Sequence, residues 1–185
     1  MMNEEEPTVM MYPDEDYAEE MAEKILDDFS ASNRGSFQTN PDPVYTVTVR
    51  GVEFSAAHRL AWHPKCRRWH GHNYKVRVDV TGELDGSRRI VMEMGRLKKM
   101  IEELADKLDH RVIIGATEHA DEFAGERSED VVRCPLSSVT AEDLATWFVR
   151  WIRDHLSEDE RRRIRRIRAS VAETDGFSAA VSVTA

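Results

Sequence analysis

Three of the seven histidines are spaced to share one metal ion. His70 and His72 are separated only by Gly71, and an alternating apolar run follows them through Tyr74, Val76, Val78 and Val80. In an extended strand the period of two puts both imidazoles on one face, and Gly71 leaves no side chain between them. His58 ends a similar series, Val52, Phe54 and Ala56. If the two strands pair antiparallel, their adjoining ends bring His58 beside the other two. Three neutral imidazoles suit Zn2+, and three protein ligands leave a fourth position for a substrate oxygen. A second arrangement has Cys66 as fourth ligand, which would give a closed, structural zinc site in a non-catalytic binding protein.

Cys66 lies four positions before His70, among Lys65, Arg67 and Arg68. A thiolate is stabilised in such surroundings and can act as base or nucleophile. Asp109 precedes His110 at the expected end of a helix, and an aspartate beside a histidine can orient and charge an imidazole for proton transfer. Glu173, in Val-Ala-Glu-Thr-Asp, is either a solvated strand end or a carboxylate that accepts paired N–H donors from a ring edge. Cys134 is given no role, and His63, His119 and His155 read as surface or loop residues.

The elements that position these groups follow from periodicity. Tyr45, Val47 and Val49 alternate with polar residues, and the apolar set moves to even positions after Gly51, which predicts a bulge there. Met94, Leu97, Met100, Ile101, Leu104 and Leu108 recur at helical spacing, as do Leu144, Trp147, Phe148, Trp151, Ile152 and Leu156. Thr140-Ala-Glu-Asp143 predicts a capping box before the second helix. A polar stretch, about Gly115 to Ser138, joins the helices. Two further strands carry Ile167, Ala169 and Val171, then Ala179, Val181 and Val183. The order β-β-α-α-β-β predicts an α+β domain over 44–185, an antiparallel sheet with both helices on one face. Residues 1–43 read as an acidic extension, with an amphipathic helix over Asp14 to Phe29 and a turn-rich linker over Ser30 to Pro43.

The 185 residues carry a formal charge of −9 and are 41% hydrophobic. The chain is long enough for a real core, and the net charge argues against non-specific nucleic-acid binding. No apolar run approaches the ~20 residues that span a bilayer, and the acidic start lacks a signal-peptide pattern. A cytoplasmic location is the expectation. Only six of the 26 basic residues are Lys, which fits either a high-salt cytoplasm or a base-composition bias.

Phe54-Ser-Ala-Ala-His58, Cys66-x-x-x-His70-Gly-His72-x-Tyr74, Leu108-Asp-His110, Thr140-Ala-Glu142 and Ala172-Glu-Thr174 occur in this order. With them the chain resembles the 6-pyruvoyltetrahydropterin synthase / 6-carboxytetrahydropterin synthase family from about Val44 onward. The resemblance implies the tunnelling fold, with subunits closing a trimeric barrel and two trimers stacked as a homohexamer. It implies 7,8-dihydroneopterin triphosphate as substrate, His58, His70 and His72 as zinc ligands, Cys66, Asp109 and His110 as the catalytic trio, and Glu173 as pterin anchor. The three-residue gap between Cys66 and His70 is similar to the carboxy-forming branch of 7-deazaguanine (queuosine and archaeosine) biosynthesis; pyruvoyl-forming enzymes usually have a longer gap. Glu93-Met94 and Val112-Ile113 depart from the family's usual Asp-Phe and Leu-Asn, and read as packing changes. Arg59, Arg67 and Arg68 are candidates for offsetting the triphosphate charge.

Overall fold

A computed structural model describes residues 43–118 and 128–184, with Met21, Glu23 and Lys24 before them. Those three are helical and exposed; the rest of the helix expected over Asp14 to Phe29, the linker up to Asp42, and His119 lie outside the described residues. The elements below all belong to the compact unit Asp42–Ala185.

Strand β1 (Tyr45–His58) pairs antiparallel with β2 (His70–Gly82). The register shifts between Arg50 and Val52, and Gly51 takes φ +84°, a conformation that costs glycine little. The bulge moves the inward face from Val47 and Val49 to Val52, Phe54, Ala56 and His58. Strand β5 (Ile164–Thr174) pairs antiparallel with β2, and β6 (Phe177–Thr184) with β5. Helices α1 (Met94–Leu108) and α2 (Ala141–Asp154) pack on this sheet, α1 over β1 and α2 over β5 and β6. Leu97, Ile101, Leu104, Leu108, Leu144, Phe148 and Ile152 are fully buried there, each stabilising the fold by about 1.5–3 kcal/mol through burial.

The helix starts are set by their caps. Thr140 and Asp143 form the expected reciprocal capping box. Glu93 caps α1, its carboxylate accepting from the Gly95 and Arg96 amides. The Glu93-Met94 departure is therefore no packing change: Glu93 is a cap and Met94 is 62% exposed. Ile113, by contrast, is fully buried.

Two short strands were not expected. Just before the polar stretch, β3 (Arg111–Ile114) runs parallel to β1, and within it β4 (Val131–Arg133) runs parallel to β3. The sheet is thus mixed and six-stranded, in the order β4-β3-β1-β2-β5-β6. A short helix, α3 (Glu158–Arg163), joins α2 to β5. Its Glu160 is buried and paired with Arg96 of α1. Among the described residues β1 meets β3 only at Ala56 and Ala57, so the edge from Tyr45 to Phe54 is unpaired on that side; β6 is another open edge. No described helix is long and apolar enough to cross a membrane.

Candidate metal and catalytic site

The strand pairing brings the three histidines together. His58 is the register partner of His70, and Ala56 of His72. A side chain at Gly71 would stand 3.2 Å from the Ala56 carbonyl oxygen, so the close β1–β2 approach favours glycine between the ligands. The imidazole centroids are 4.6, 5.3 and 5.1 Å apart, and one nitrogen from each ring lies within 4.8 Å of the others.

The backbone orients two of the rings. His58 Nδ1 is 2.6 Å from the Val139 carbonyl oxygen, and His70 Nδ1 is 2.7 Å from that of Arg68. With Nδ1–H donating to a carbonyl, Nε2 carries the lone pair a metal needs. His58 Nε2 is buried with no hydrogen-bond partner, an arrangement that costs roughly 1–3 kcal/mol unless something binds there. A divalent ion ligated by imidazole satisfies it, and the donor set fits one. Cys66 is not in the ligand group, which favours the open three-histidine arrangement over the closed one.

Burial is the main cause that lowers the His58 pKa from 6.5 to about 4; the other two imidazoles add to it and the Val139 carbonyl opposes it. The folded, metal-free chain therefore resists protonating His58, while the unfolded chain protonates near 6.5. Stability should be full above about pH 6.5, fall as pH drops toward 4, and level off below that, by at most about 3 kcal/mol. Urea denaturation of chelator-treated protein at pH 7.5, 5.5 and 4.5 measures this, and His58→Gln should flatten the slope in that window.

Glu173 sits at the cluster and not out in solvent. Its carboxylate oxygens are 3.9 Å from His58 Nε2 and 4.0 Å from His72 Nε2. It also lines a cavity of about 470 Å³ with Lys65, Cys66, Arg68, Trp69, His70 and His72. Of the arginines proposed to face a triphosphate, Arg68 lines this cavity. Arg59 instead lies over the Trp69 ring, 3.9 Å from Glu118. Lys65 and Trp69 are cavity residues that motif reading passed over; the basic run around Cys66 was the available signal for Lys65.

Asp109 and His110 form a built pair at another place. Asp109 Oδ1 accepts from the Ser55 amide at 2.7 Å, and its Oδ2 is 2.7 Å from His110 Nδ1. First the Ser55 amide and then His110 hold this carboxyl below the usual range. His110 takes φ +56° after the helix end, where its amide donates to the Ser55 carbonyl at 2.6 Å. Such held conformations of non-glycine residues recur at functional sites. The pair leaves Nε2 of an exposed imidazole free for proton transfer. His110 lines a broader groove, about 950 Å³, on which His72 and Glu173 also border, but Cys66 does not. One copy of the chain thus unites the histidine cluster, Cys66 and Glu173, and presents Asp109–His110 across the strand ends.

Comparison with known proteins places this geometry in context. The family model for 6-pyruvoyl tetrahydropterin synthase matches residues 46–183. A Methanocaldococcus jannaschii protein provisionally named 6-carboxy-5,6,7,8-tetrahydropterin synthase is 34% identical over 144 residues, covering 70% of this chain and 88% of that one. The Homo sapiens 6-pyruvoyl tetrahydrobiopterin synthase is 41% identical over 76 residues, 34% of this chain and 52% of that one. The crystal structure of 6-pyruvoyl tetrahydropterin synthase from Plasmodium vivax superposes with a TM-score of 0.66 at 21% identity, covering 78% of this chain and all of that one; at this identity it speaks to the fold.

Proposed function

The chain belongs to the 6-pyruvoyl tetrahydropterin synthase family, and we propose that it is a zinc-dependent 6-carboxy-5,6,7,8-tetrahydropterin synthase. It converts 7,8-dihydroneopterin triphosphate and water to 6-carboxytetrahydropterin, acetaldehyde and triphosphate, in the cytoplasm, as a step toward 7-deazaguanines. The observation that carries this reading is the shared cavity: the Cys66 thiol, two of the three clustered imidazoles and Glu173 line one space of about 470 Å³.

His58, His70 and His72 would hold the zinc, which supplies Lewis-acid chemistry by lowering the pKa of the vicinal hydroxyls of the substrate side chain. The Cys66 sulfur takes and returns protons at the reacting side-chain carbons. Glu173 accepts the paired N–H donors of the pterin edge. Lys65 and Arg68 offset the triphosphate charge within a protein that is acidic as a whole. His110, oriented by Asp109, is the second acid/base; it opens on a groove that His72 and Glu173 also line, and in the barrel reading a neighbouring subunit delivers it to the Cys66 cavity.

Assembly follows from the same edges. Proteins normally pair or cover open strands, and the unpaired edges of β1 and β6 suit closure by neighbouring copies into a barrel. Light scattering should give the mass of a hexamer; a monomer at micromolar concentration would remove the basis for a shared site.

Incubation with 7,8-dihydroneopterin triphosphate, with products read by mass spectrometry, tests the reaction. Acetaldehyde and 6-carboxytetrahydropterin should appear in equal amounts. The second reading, a pyruvoyl-forming enzyme on the same site, is favoured by the local identity to the human protein. It predicts accumulation of 6-pyruvoyltetrahydropterin without acetaldehyde.

A further inference from the structure

We propose that His63 is a positioning residue that holds the Cys66 thiol in place through its imidazole Nδ1. The inference rests on the reading of Cys66 as the proton-transfer group.

The residues between β1 and β2 carry Cys66 on one tight turn. The Arg67 amide donates to the His63 carbonyl at 3.1 Å, the Arg68 amide to the Lys65 carbonyl at 3.4 Å, and the Leu60 amide to the Cys66 carbonyl at 2.8 Å. The turn is one helical winding, and His63 stands at its start as the capping residue. Pro64 follows at the first winding position, where a missing N–H costs nothing and the fixed φ is favourable. The next two amides are the orphan donors of such a winding. His63 Nδ1 accepts from both, from Lys65 at 3.3 Å and from Cys66 at 2.9 Å. Serine, threonine, aspartate or asparagine usually does this. A histidine does it only as the tautomer with a bare Nδ1.

The consequence reaches the metal site. The Cys66 amide is tied down by His63, and two residues later the Arg68 carbonyl accepts from His70 Nδ1. The turn therefore spans from the His63 cap to a zinc ligand, with the thiol between them. A thiol displaced by about 1 Å from its proton-transfer geometry loses orders of magnitude in rate. Substrate contacts made by Glu173 and the ligands would survive such a displacement.

The test uses the intact enzyme and three variants. His63→Ala should lower kcat about 10-fold or more, with KM within about twofold and zinc content unchanged. It should also change the rate of Cys66 alkylation by iodoacetamide severalfold. His63→Asn, whose Oδ1 can accept both amides, should restore both values to within about threefold of the parent. Circular dichroism checks folding, and should His63→Ala not fold, His63→Gln, whose longer side chain misplaces the acceptor, takes its place. Parent-like kcat and alkylation in His63→Ala would overturn the proposal, as would an Asn variant as impaired as the Ala one, since the imidazole itself would then be needed. Cys66→Ser measured alongside separates the two ideas. Full activity in that variant defeats the role of Cys66, while the alkylation rates still report whether His63 holds the turn.

Discussion

Cys66→Ala should turn over substrate at least about 100-fold more slowly than the parent while keeping its zinc and binding substrate. The size is the usual scale for losing a positioned acid/base group. The separation of effects comes from the geometry. Cys66 lines the cavity of the histidine cluster but is outside the group of ligand atoms. Its turn is held by backbone amides and carbonyls and by the His63 imidazole, all of which alanine at position 66 keeps. Half-buried and at the start of no regular element, Cys66 contributes little to the core. The loss should therefore fall on kcat, with KM near the parent value, the pattern of an interaction used in the chemical step. Steady-state kinetics, with zinc measured on the same preparation, reads both quantities. If zinc leaves with the thiol, the closed site with a cysteine ligand is correct and the catalytic role is not.

Much of this site was legible because strand periodicity is a strong signal. Gly51 as a bulge, the facing of His58 toward His70, and the capping box at Thr140 all followed from residue spacing, and the structure has them. What spacing could not supply was long-range pairing. Strands β3 and β4 are four and three residues long, too short for a period of two to stand out, and they exist because β1 offers a partner. Glu93 was misread because a cap is a local hydrogen-bonding role, visible only once the helix start is known. The burial of Glu160 could not be read from spacing, because its partner, Arg96, is far away in sequence. Asp109–His110 was recognised as a pair, but its separation from the Cys66 cavity depends on where β1 ends and β3 begins. The role of His63 was hidden for another reason. Histidine is a rare cap, so the His63-Pro64 dipeptide does not announce a turn in the way Asp-Pro or Ser-Pro would.

The largest effect should come from His70→Ala, which removes both the metal and the activity. An open site has three protein ligands, and taking one leaves two imidazoles and water, a set that does not compete with dilute chelator. The parent should carry about one zinc per chain after gel filtration, and His70→Ala less than a tenth of that. The fold should survive, because His70 lies at the end of β2, is only half-buried, and anchors its ring to the local Arg68 carbonyl. His58→Ala would be a poorer test: that ring is fully buried, and its loss leaves a cavity and an orphaned Val139 carbonyl. A thermal readout separates binding from folding. Zinc at about 100 times its Kd stabilises a folded protein by about 2.7 kcal/mol, several degrees in Tm for a domain of this size. Added zinc should thus raise the Tm of chelator-treated parent and leave that of His70→Ala where it is. A His70→Ala protein that still held one zinc per chain and gained the same Tm increment would place the metal elsewhere and undo the three-histidine site.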